Sequence, residues 1–194
     1  MSRIHLIIVD GLDGVGKDTH ANLIKKRYET MGKTVIIRSH PAADSVYGRK
    51  TKQALLGKGK RNRLRASVFY ALDVLHSLRQ YYYREAECDV LIMVRYLMGT
   101  AYLPTFLASL AYTFFSLIVP TSQSMFFLDA PPKVLFHRLQ QRTEQEMFET
   151  LENLVKVRKR ALLLATGWHI IDTTGSVNDT FVRIEKILNQ LDAQ

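Results

Sequence analysis

A glycine-rich stretch, Gly11–Asp18, constrains this chain more than any other feature of its sequence. An apolar run, Ile4–Val9, leads into the stretch, and a helical pattern that ends at Gly32 leads out of it. The spacing fits the phosphate-binding motif G-x-x-x-x-G-K-[ST] at every fixed position except the last, where Asp18 replaces a hydroxyl residue. The sequence therefore predicts a strand, a phosphate-binding loop and a helix, in that order.

The residues of this loop suit a polyphosphate ligand. Its glycines let the backbone turn tightly and point successive N–H groups inward, and the start of the following helix adds a partial positive charge. Lys17 can then reach the β- and γ-phosphates as a mobile point charge. A glycine-rich turn that precedes a helix by chance is the alternative, and the strand before the loop argues against it. The predicted ATP-binding residues of the loop are Gly11, Asp13, Gly14, Val15, Gly16, Lys17, Asp18 and Thr19.

Strand patterns and helical patterns alternate along the chain. The predicted strands are Ile4–Val9, Thr34–Arg38, Asp89–Val94, Ser124–Asp129 and Trp168–Asp172. This alternation is typical of an α/β fold in which helices cover both faces of a parallel sheet, giving three layers. Nucleotides bind such sheets at the carboxyl ends of the strands. Because no linker or repeat interrupts the pattern, residues 1–194 are expected to form one domain.

Two helical segments flank the third predicted strand. The segment before it carries apolar residues every three or four positions, which predicts an amphipathic helix. These residues are Leu64, Val68, Leu72, Leu75 and Leu78. The segment after it, Leu97–Val119, has no charged residue and is long enough to suggest a membrane span. Its hydroxyl residues, its tyrosines and its position between paired strands favour a helix that is buried or covered by a partner.

The composition narrows the range of partners and surroundings. A net charge of +9 calls for anionic partners. Part of this excess lies in one basic segment that starts at Gly57, and no aromatic platform accompanies it, so a nucleotide is favoured over a nucleic acid. A single cysteine, Cys88, excludes a disulfide framework and indicates a reducing environment. No secretion signal precedes the first strand, so we expect a cytoplasmic protein.

Several arginines follow strands or stand beside a polar, acidic break at Thr143–Glu146. The base-reading motif of GTPases, N-K-x-D, is absent from the sequence. For each arginine taken alone, a surface charge is the simpler interpretation, but together they suit phosphoryl transfer, which needs positive charge around the transferred group. These arginines are Arg38, Arg95, Arg138 and Arg142.

The sequence resembles the thymidylate kinase family of nucleoside monophosphate kinases over nearly its whole length. The stretch from Val9 to Lys17 is similar to the family's F-E-G-x-D-G-x-G-K. Arg95-Tyr96, together with Ala101-Tyr102, resembles the family's D-R-Y-x-x-S-x-x-A-Y-Q. Further similar segments are Tyr47–Gly57, Phe69–His76, Pro120–Pro132, Arg138–Arg158 and Asp172. The resemblance implies conversion of dTMP and ATP to dTDP and ADP, with Mg²⁺ as a cofactor. It also implies a short lid around residues 142–147 and a homodimer, to which Leu97–Val119 is a candidate contributor.

The resemblance implies roles for individual residues. Lys17 would bind the donor β- and γ-phosphates, Arg95 the acceptor phosphate, and Arg142 would be the lid arginine, so these three are the expected catalytic residues. Because Gly14 is not basic, any transition-state arginine must come from the lid. The resemblance adds Arg138, against the adenine, and Asp172 to the ATP-binding residues. The expected acceptor-binding residues are Asp13 on the 3′-hydroxyl, Phe69 on the base, Tyr102 on the sugar, and Arg38, Asp73 and Arg95.

Four departures from the family pattern fall on functional positions. Asp18 replaces the Mg²⁺-binding hydroxyl, Val94 replaces the aspartate of D-R-Y, and Asp73 replaces the base-reading arginine. Arg38 stands one residue early, before Ser39-His40-Pro41. We hypothesise that Asp18 holds the metal in place of the missing aspartate, so that Asp18→Ser should abolish activity.

Because Asp73 stands at the base-reading position, the sequence does not decide which base the acceptor carries. A carboxylate repels thymine O4 and can pair with an exocyclic amine such as cytosine N4, which makes dCMP, CMP or AMP the alternative acceptor. A second alternative is a kinase-like nucleotide-binding protein with little activity. The third is a basic nucleic-acid binder, which a steep salt dependence of binding would reveal.

Overall fold

The structure, a computed structural model, describes residues 4–57, 59–83, 88–103, 105–141 and 150–193. The strands are β1 (His5–Gly11), β2 (Val35–Ser39), β3 (Val90–Val94), β4 (Met125–Asp129) and β5 (His169–Asp172). They form one parallel sheet in the order β2-β3-β1-β4-β5. The predicted α/β fold with a five-stranded parallel sheet is therefore confirmed.

The helices of the described residues lie between these strands and after the last one. They are α1 (Lys17–Thr30), α2 (Val46–Leu56), α3 (Lys60–Ser77), α4 (Thr105–Ile118), α5 (Pro132–Gln140), α6 (Leu151–Leu164) and α7 (Val177–Asp192). A π-helical turn, Leu78–Tyr82, continues α3, and a 3₁₀ helix, Met98–Tyr102, precedes α4.

The sheet order decides which face each helix covers. A right-handed crossover places α1, which links β1 to β2, on one face of the sheet. The later connections run along the sheet in the opposite direction and cover the other face. Accordingly, α1 packs against α7, whereas α4 and α5 each pack against α6. The three layers leave the carboxyl ends of the strands as the edge at which loops from both faces meet.

Central strand β1 accounts for the continuous apolar run at the start of the chain. It pairs with β3 on one side and β4 on the other, so both of its faces are covered by helices. Ile7, Ile8 and Val9 are fully buried. The pairing of Val9 with Val94 in β3 brings the ends of these strands level, so that the loops after them are neighbours.

Helix α3 forms where the apolar pattern predicts it, but most of the predicted apolar face is exposed. Of the five residues in that pattern, only Leu78 is buried among the described residues, and the other four are exposed by 38 to 66%. The face that α3 buries instead includes Ala66, Asp73, Val74 and Ser77. Small and polar residues dominate this face, and an apolar periodicity does not detect them.

The uncharged segment Leu97–Val119 divides into the 3₁₀ helix and α4 rather than forming one long helix. Ala101, Ala108 and Val119 are buried against the core. The opposite side of α4 is exposed, with exposed fractions of 58 to 80% at Phe106, Leu110, Phe114 and Leu117. Within the described residues, no helix combines the length and the apolar character that a bilayer crossing requires.

Candidate nucleotide-binding site

The loop between β1 and α1 depends on glycine at both of its ends. Gly11 has a φ of +141°, and a Cβ at this position would lie 2.2 Å from the carbonyl oxygen of Leu128 on β4. Gly16 has a φ of +87° and is the N-cap of α1. Because side chains are disfavoured in both conformations, glycine is required here. The loop turns the chain tightly from the sheet edge into the positive end of the α1 dipole.

Lys17 folds back into this loop and is only 3% exposed. Its Nζ donates to the carbonyl oxygens of Gly11 at 2.8 Å and Leu12 at 2.6 Å, and it lies 3.3 Å from Asp13 Oδ1. Burial lowers the pKa of the Lys17 ammonium, and the nearby Asp13 carboxylate opposes this shift. A phosphate oxygen is a stronger acceptor than a neutral carbonyl, so a bound polyphosphate can take over these hydrogen bonds.

Asp13 lies at the centre of the site. Its Oδ2 accepts a hydrogen bond from the Tyr102 hydroxyl at 3.0 Å, and its Oδ1 lies 3.5 Å from Arg95 Nε in addition to the Lys17 contact. Burial by itself raises the pKa of the Asp13 carboxyl, but Lys17 and Arg95 lower it by more, so the pKa lies well below its usual range. The structure thus brings four predicted site residues, Asp13, Lys17, Arg95 and Tyr102, into one cluster.

Arg95 joins this cluster to the start of α1. It follows β3 directly and has a φ of +55°, which is unusual for a residue with a side chain. Its Nη1 lies 3.1 Å from Asp18 Oδ2 and donates to Ser39 Oγ at 3.1 Å. Burial lowers the pKa of Arg95, but the carboxylates of Asp13 and Asp18 raise it by more. Arg95 is therefore a fixed positive charge between two carboxylates.

Asp10 holds the segment that carries Arg95. It is 2% exposed, and its Oδ2 accepts the backbone N–H groups of residues 96–98 at 2.8 to 3.0 Å. Its Oδ1 accepts the N–H of Gly11 at 3.0 Å. Burial raises the pKa of Asp10, and these N–H groups lower it. Asp10 is not among the predicted site residues. The only sequence signal for its role is the position of an acidic residue at the end of an apolar strand.

A cleft of about 260 Å³ opens beside the loop. Arg138 on α5 lines it and donates to the carbonyl oxygens of Thr173 at 2.8 Å and Gly14 at 3.3 Å. Asp172 lies at the end of β5, where its carboxylate accepts from the N–H of Thr174 at 3.0 Å and from its hydroxyl at 2.7 Å. The predicted ATP-binding residues that line the cleft are Gly14, Val15, Gly16, Thr19 and Arg138.

Arg38 and Phe69 lie outside the cluster around Asp13. Arg38 Nη1 donates to Asp44 Oδ2 at 2.8 Å, and its guanidinium lies 4.8 Å from the centre of the Tyr81 ring. Phe69 on α3 is half-buried, with the Lys50 ammonium 5.3 Å from its ring centre. None of the described contacts joins either residue to Arg95.

Asp73 supports the loop after β2. It is fully buried, and its Oδ2 accepts the N–H of Ala42 at 2.8 Å, while its Oδ1 has no hydrogen-bond partner within the described part of the chain. His40, which is also fully buried, lies 3.0 Å from Ser77 Oγ through Nε2 and 3.3 Å from the carbonyl oxygen of Val94 through Nδ1. Burial lowers the pKa of His40 to about 4. The departures at positions 40 and 73 therefore belong to one buried polar region behind the site.

Two further contacts of the site could not be read from the motifs. Ser39 Oγ donates to Asp18 Oδ1 at 2.9 Å, and the Tyr70 hydroxyl donates to the carbonyl oxygen of Arg95. The only sequence signals for them are the position of Ser39 at the end of a predicted strand and the place of Tyr70 within the Phe69–His76 segment. Arg142 and the predicted lid at 142–147 lie outside the described residues.

Comparisons with known proteins identify the family. The sequence model of the thymidylate kinase family matches residues 9–184. A probable thymidylate kinase of Pyrobaculum aerophilum is 26% identical over 190 residues, which cover 95% of this chain and 96% of the relative. A probable thymidylate kinase of Thermococcus kodakarensis is 24% identical over 200 residues, which cover 95% of this chain and 94% of the relative.

The fold agrees with this assignment. The structure of the thymidylate kinase of Candida albicans superimposes with a TM-score of 0.74 at 16% identity, and the match covers 98% of this chain and 93% of that one. The predicted fold type and the predicted kinase class, a nucleoside monophosphate kinase, are both confirmed. The chain belongs to the thymidylate kinase family.

Proposed function

We propose that this protein transfers the γ-phosphoryl group of ATP to dTMP, giving ADP and dTDP. The observation that carries the proposal is the cluster of Asp13, Lys17 and Arg95 beside the phosphate-binding loop, in a chain of the thymidylate kinase family. In this cluster Lys17 and Arg95 supply positive charge beside a transferred phosphoryl group, where negative charge has to be stabilised, and Asp13 holds both cations.

The donor nucleotide is proposed to occupy the cleft beside the loop. Its adenine would lie against Arg138, whose guanidinium is held by the carbonyl oxygens of Gly14 and Thr173 and can stack on a planar base. Lys17 would exchange the carbonyl oxygens that it now binds for oxygens of the β- and γ-phosphates. The protein contributes chiefly by positioning the two phosphates for in-line transfer.

The acceptor is proposed to place its phosphate on Arg95. The Arg95 guanidinium is held in place by the carboxylates of Asp13 and Asp18. Asp13 would bind the 3′-hydroxyl and Tyr102 would line the sugar, and the hydrogen bond between these two residues keeps both in place. Phe69 remains the proposed stacking partner of the base, with its ring half-buried on α3. Arg38 is paired with Asp44 in the loop after β2. We propose that it contributes to acceptor binding only by holding this loop in place.

The site suits Mg²⁺ as an ion shared with the nucleotide. No group of three or more metal-binding side chains occurs within the described ranges, and the carboxylate of Asp10 is taken up by backbone N–H groups. The side chain of Asp18 is 57% exposed at the start of α1. Because Mg²⁺ commonly takes one or two carboxylates and completes its shell with phosphate and water oxygens, Asp18 would hold it. A bound ion would neutralise charge on the transferred group.

We propose that residues 1–194 form one kinase domain whose lid, residues 142–147, carries Arg142 over the transferred group. This arginine would supply the transition-state charge that Gly14 cannot supply.

The family assignment does not favour dCMP, CMP or AMP as acceptors. These alternatives depend on Asp73, whose Oδ1 is unpaired in the described structure. However, the side chain is fully buried and its other oxygen supports Ala42. We therefore propose that Asp73 supports the loop after β2, on the acceptor side of the site, and does not contact the acceptor base.

The assay for this function measures ADP release by the full chain with ATP and Mg²⁺, adding dTMP, dCMP, CMP or AMP in turn. We expect the rate with dTMP to exceed the others by roughly tenfold or more. Equal rates with dCMP, or ADP release that does not depend on an acceptor, would contradict the proposal. In the same assay Asp18→Ser should lose activity and Glu29→Gln, on the same helix, should retain it. Unchanged turnover in Asp18→Ser would remove Asp18 from the metal site.

We also propose that the protein is a cytoplasmic homodimer. Monomers seldom expose apolar helix faces as large as those of α3 and α4. Light scattering should therefore give twice the mass of one chain, and Phe114→Glu should lower it, whereas Leu163→Glu on α6 should not. A single-chain mass for the unmodified protein at all concentrations would contradict the dimer.

A further inference from the structure

Arg95 is held on two sides by carboxylates that differ in accessibility. On the inner side its Nε lies 3.5 Å from Asp13 Oδ1, and the side chain of Asp13 is 21% exposed. On the outer side its Nη1 lies 3.1 Å from Asp18 Oδ2, and the side chain of Asp18 is 57% exposed. The inner carboxylate has Tyr102 and Lys17 as further partners, whereas the outer one lies at the protein surface. The outer contact is therefore the one that a dissolved anion can replace.

In the outer contact, the Asp18 carboxylate occupies the place on Arg95 that a bound anion would take. Asp18 presents both carboxylate oxygens to Arg95 Nη1, at 3.1 and 3.4 Å. Ser39 completes it, because its hydroxyl donates to Asp18 Oδ1 at 2.9 Å. The guanidinium of Arg95 is also the group that is proposed to bind the acceptor phosphate. The hydroxyl residue usual at position 18 in the family carries no charge that could take this place.

We propose that Asp18 is an internal competitor for the acceptor phosphate, holding the outer side of Arg95 until the phosphate of the nucleoside monophosphate displaces it. The inference rests on the proposed function, because it takes Arg95 as the acceptor-phosphate residue. Asp18 then sets the affinity for the acceptor: every binding event has to break its contacts to Arg95 and Ser39. Asp18 is a positioning residue in this role, separate from its proposed metal contact.

The test is the dissociation constant of dTMP, measured by titration calorimetry on the full chain without nucleotide donor or metal. Asp18→Asn keeps the shape of the side chain and removes its charge, and it should tighten dTMP binding by roughly five- to tenfold. Thymidine, which has no phosphate, should bind both proteins equally within about twofold. Glu29→Gln, which removes one negative charge elsewhere on α1, should leave dTMP binding unchanged.

Ser39→Ala separates the direct contact from simple charge repulsion. This substitution changes no charge, but it removes the hydrogen bond that Ser39 donates to Asp18 and the one that it accepts from Arg95 Nη1. If the contact itself competes, dTMP binding should tighten by roughly twofold or more. Unchanged or weaker dTMP binding in Ser39→Ala, or unchanged binding in Asp18→Asn, would overturn the proposal. If Asp18→Asn does not fold, the dissociation constant of dTMP for Ser39→Ala tests the proposal by itself.

The outcomes distinguish this inference from the proposed function. If the unmodified protein phosphorylates dTMP and Asp18→Asn binds it no more tightly, only the internal competitor is wrong. If dTMP neither binds nor supports ADP release, both proposals are wrong. Tighter dTMP binding together with slower turnover in Asp18→Asn supports both roles of Asp18, because binding and turnover then change in opposite directions.

Discussion

The donor and acceptor halves of the site use their arginines in different ways. On the donor side, Arg138 donates to the backbone carbonyl oxygens of Gly14 and Thr173. On the acceptor side, Arg38 and Arg95 both face carboxylates. A nucleotide that meets Arg138 can stack on it without breaking an ion pair. An acceptor phosphate has to compete with an anion that is already present.

The two halves of the site are also assembled from the chain in different ways. The phosphate-binding part of the donor half is made by a loop and the helix that follows it, so its geometry is local in the chain, whereas Arg138 and Thr173 join the cleft from distant segments. The acceptor half is assembled from the ends of β2 and β3 and the start of α1, and three of the four family departures cluster in or behind it, at positions 40, 73 and 94. Asp18 belongs to both halves, since it starts α1 and contacts Arg95. The departures from the family pattern therefore fall mainly on the acceptor half.

The largest expected effect concerns the two acceptor-side arginines. Arg95→Ala should lower kcat/KM for dTMP by roughly a thousandfold, because it removes the charge that binds the acceptor phosphate. Arg38→Ala should lower it by about tenfold or less, since Arg38 is paired with Asp44 and stacked on Tyr81. Steady-state kinetics with saturating ATP measure both. Equal losses would mean that Arg38 also binds the acceptor phosphate directly, in contradiction to its pairing with Asp44.

A second prediction concerns the buried polar region behind the acceptor side. Burial lowers the pKa of His40 to about 4, so the unfolded chain takes up a proton below its ordinary pKa of 6.5 while the folded protein does not. The free energy of unfolding should therefore fall as the pH decreases from 6.5 to 4, by about 2–3 kcal/mol. Urea unfolding at several pH values measures this slope.

His40→Gln should flatten the slope over the same interval, whereas His137→Gln, which changes an exposed histidine on α5, should keep it. An unchanged slope in His40→Gln would mean that His40 is protonated in the folded protein.

The smallest expected effect lies on the donor side. Arg138→Ala should raise the KM for ATP by about tenfold and leave the KM for dTMP unchanged, because Arg138 is proposed to touch only the adenine. Varying each substrate in turn measures the two constants. An equal rise in the KM for dTMP would contradict the proposal that Arg138 serves only the donor half of the site.

Local patterns were sufficient to predict the strands, the loop and the family. The continuous apolar runs became the buried strands, since both faces of a parallel sheet are covered. Gly11, Gly16 and Lys17 took up the loop geometry that their spacing indicates. The placement of Arg38 and Phe69 in the acceptor site stays a prediction.

Contacts between distant segments could not be predicted in the same way. Asp18 and Arg95 are 77 residues apart in the chain, and their contact depends on the register of β1 with β3. The exposure of the apolar face of α3 was missed because the helix buries Ala66, Asp73 and Ser77 instead. These residues contribute little apolar area, and Asp73 and Ser77 are held there by hydrogen bonds. The role of Asp10 was missed because its partners are backbone N–H groups of residues 96–98, and its position at the end of an apolar strand does not identify them.

The central claim is that the loop from Gly11 to Asp18 binds the phosphates of ATP and that Lys17 completes it. The most direct measurement is the dissociation constant of ATP with Mg²⁺ for the unmodified protein, for Lys17→Ala and for Lys25→Ala, a matched lysine on the same helix. We expect Lys17→Ala to weaken binding by roughly a hundredfold and Lys25→Ala to change it by less than about twofold. Equal ATP affinity in Lys17→Ala and the unmodified protein, or no ATP binding by the latter, would contradict the account.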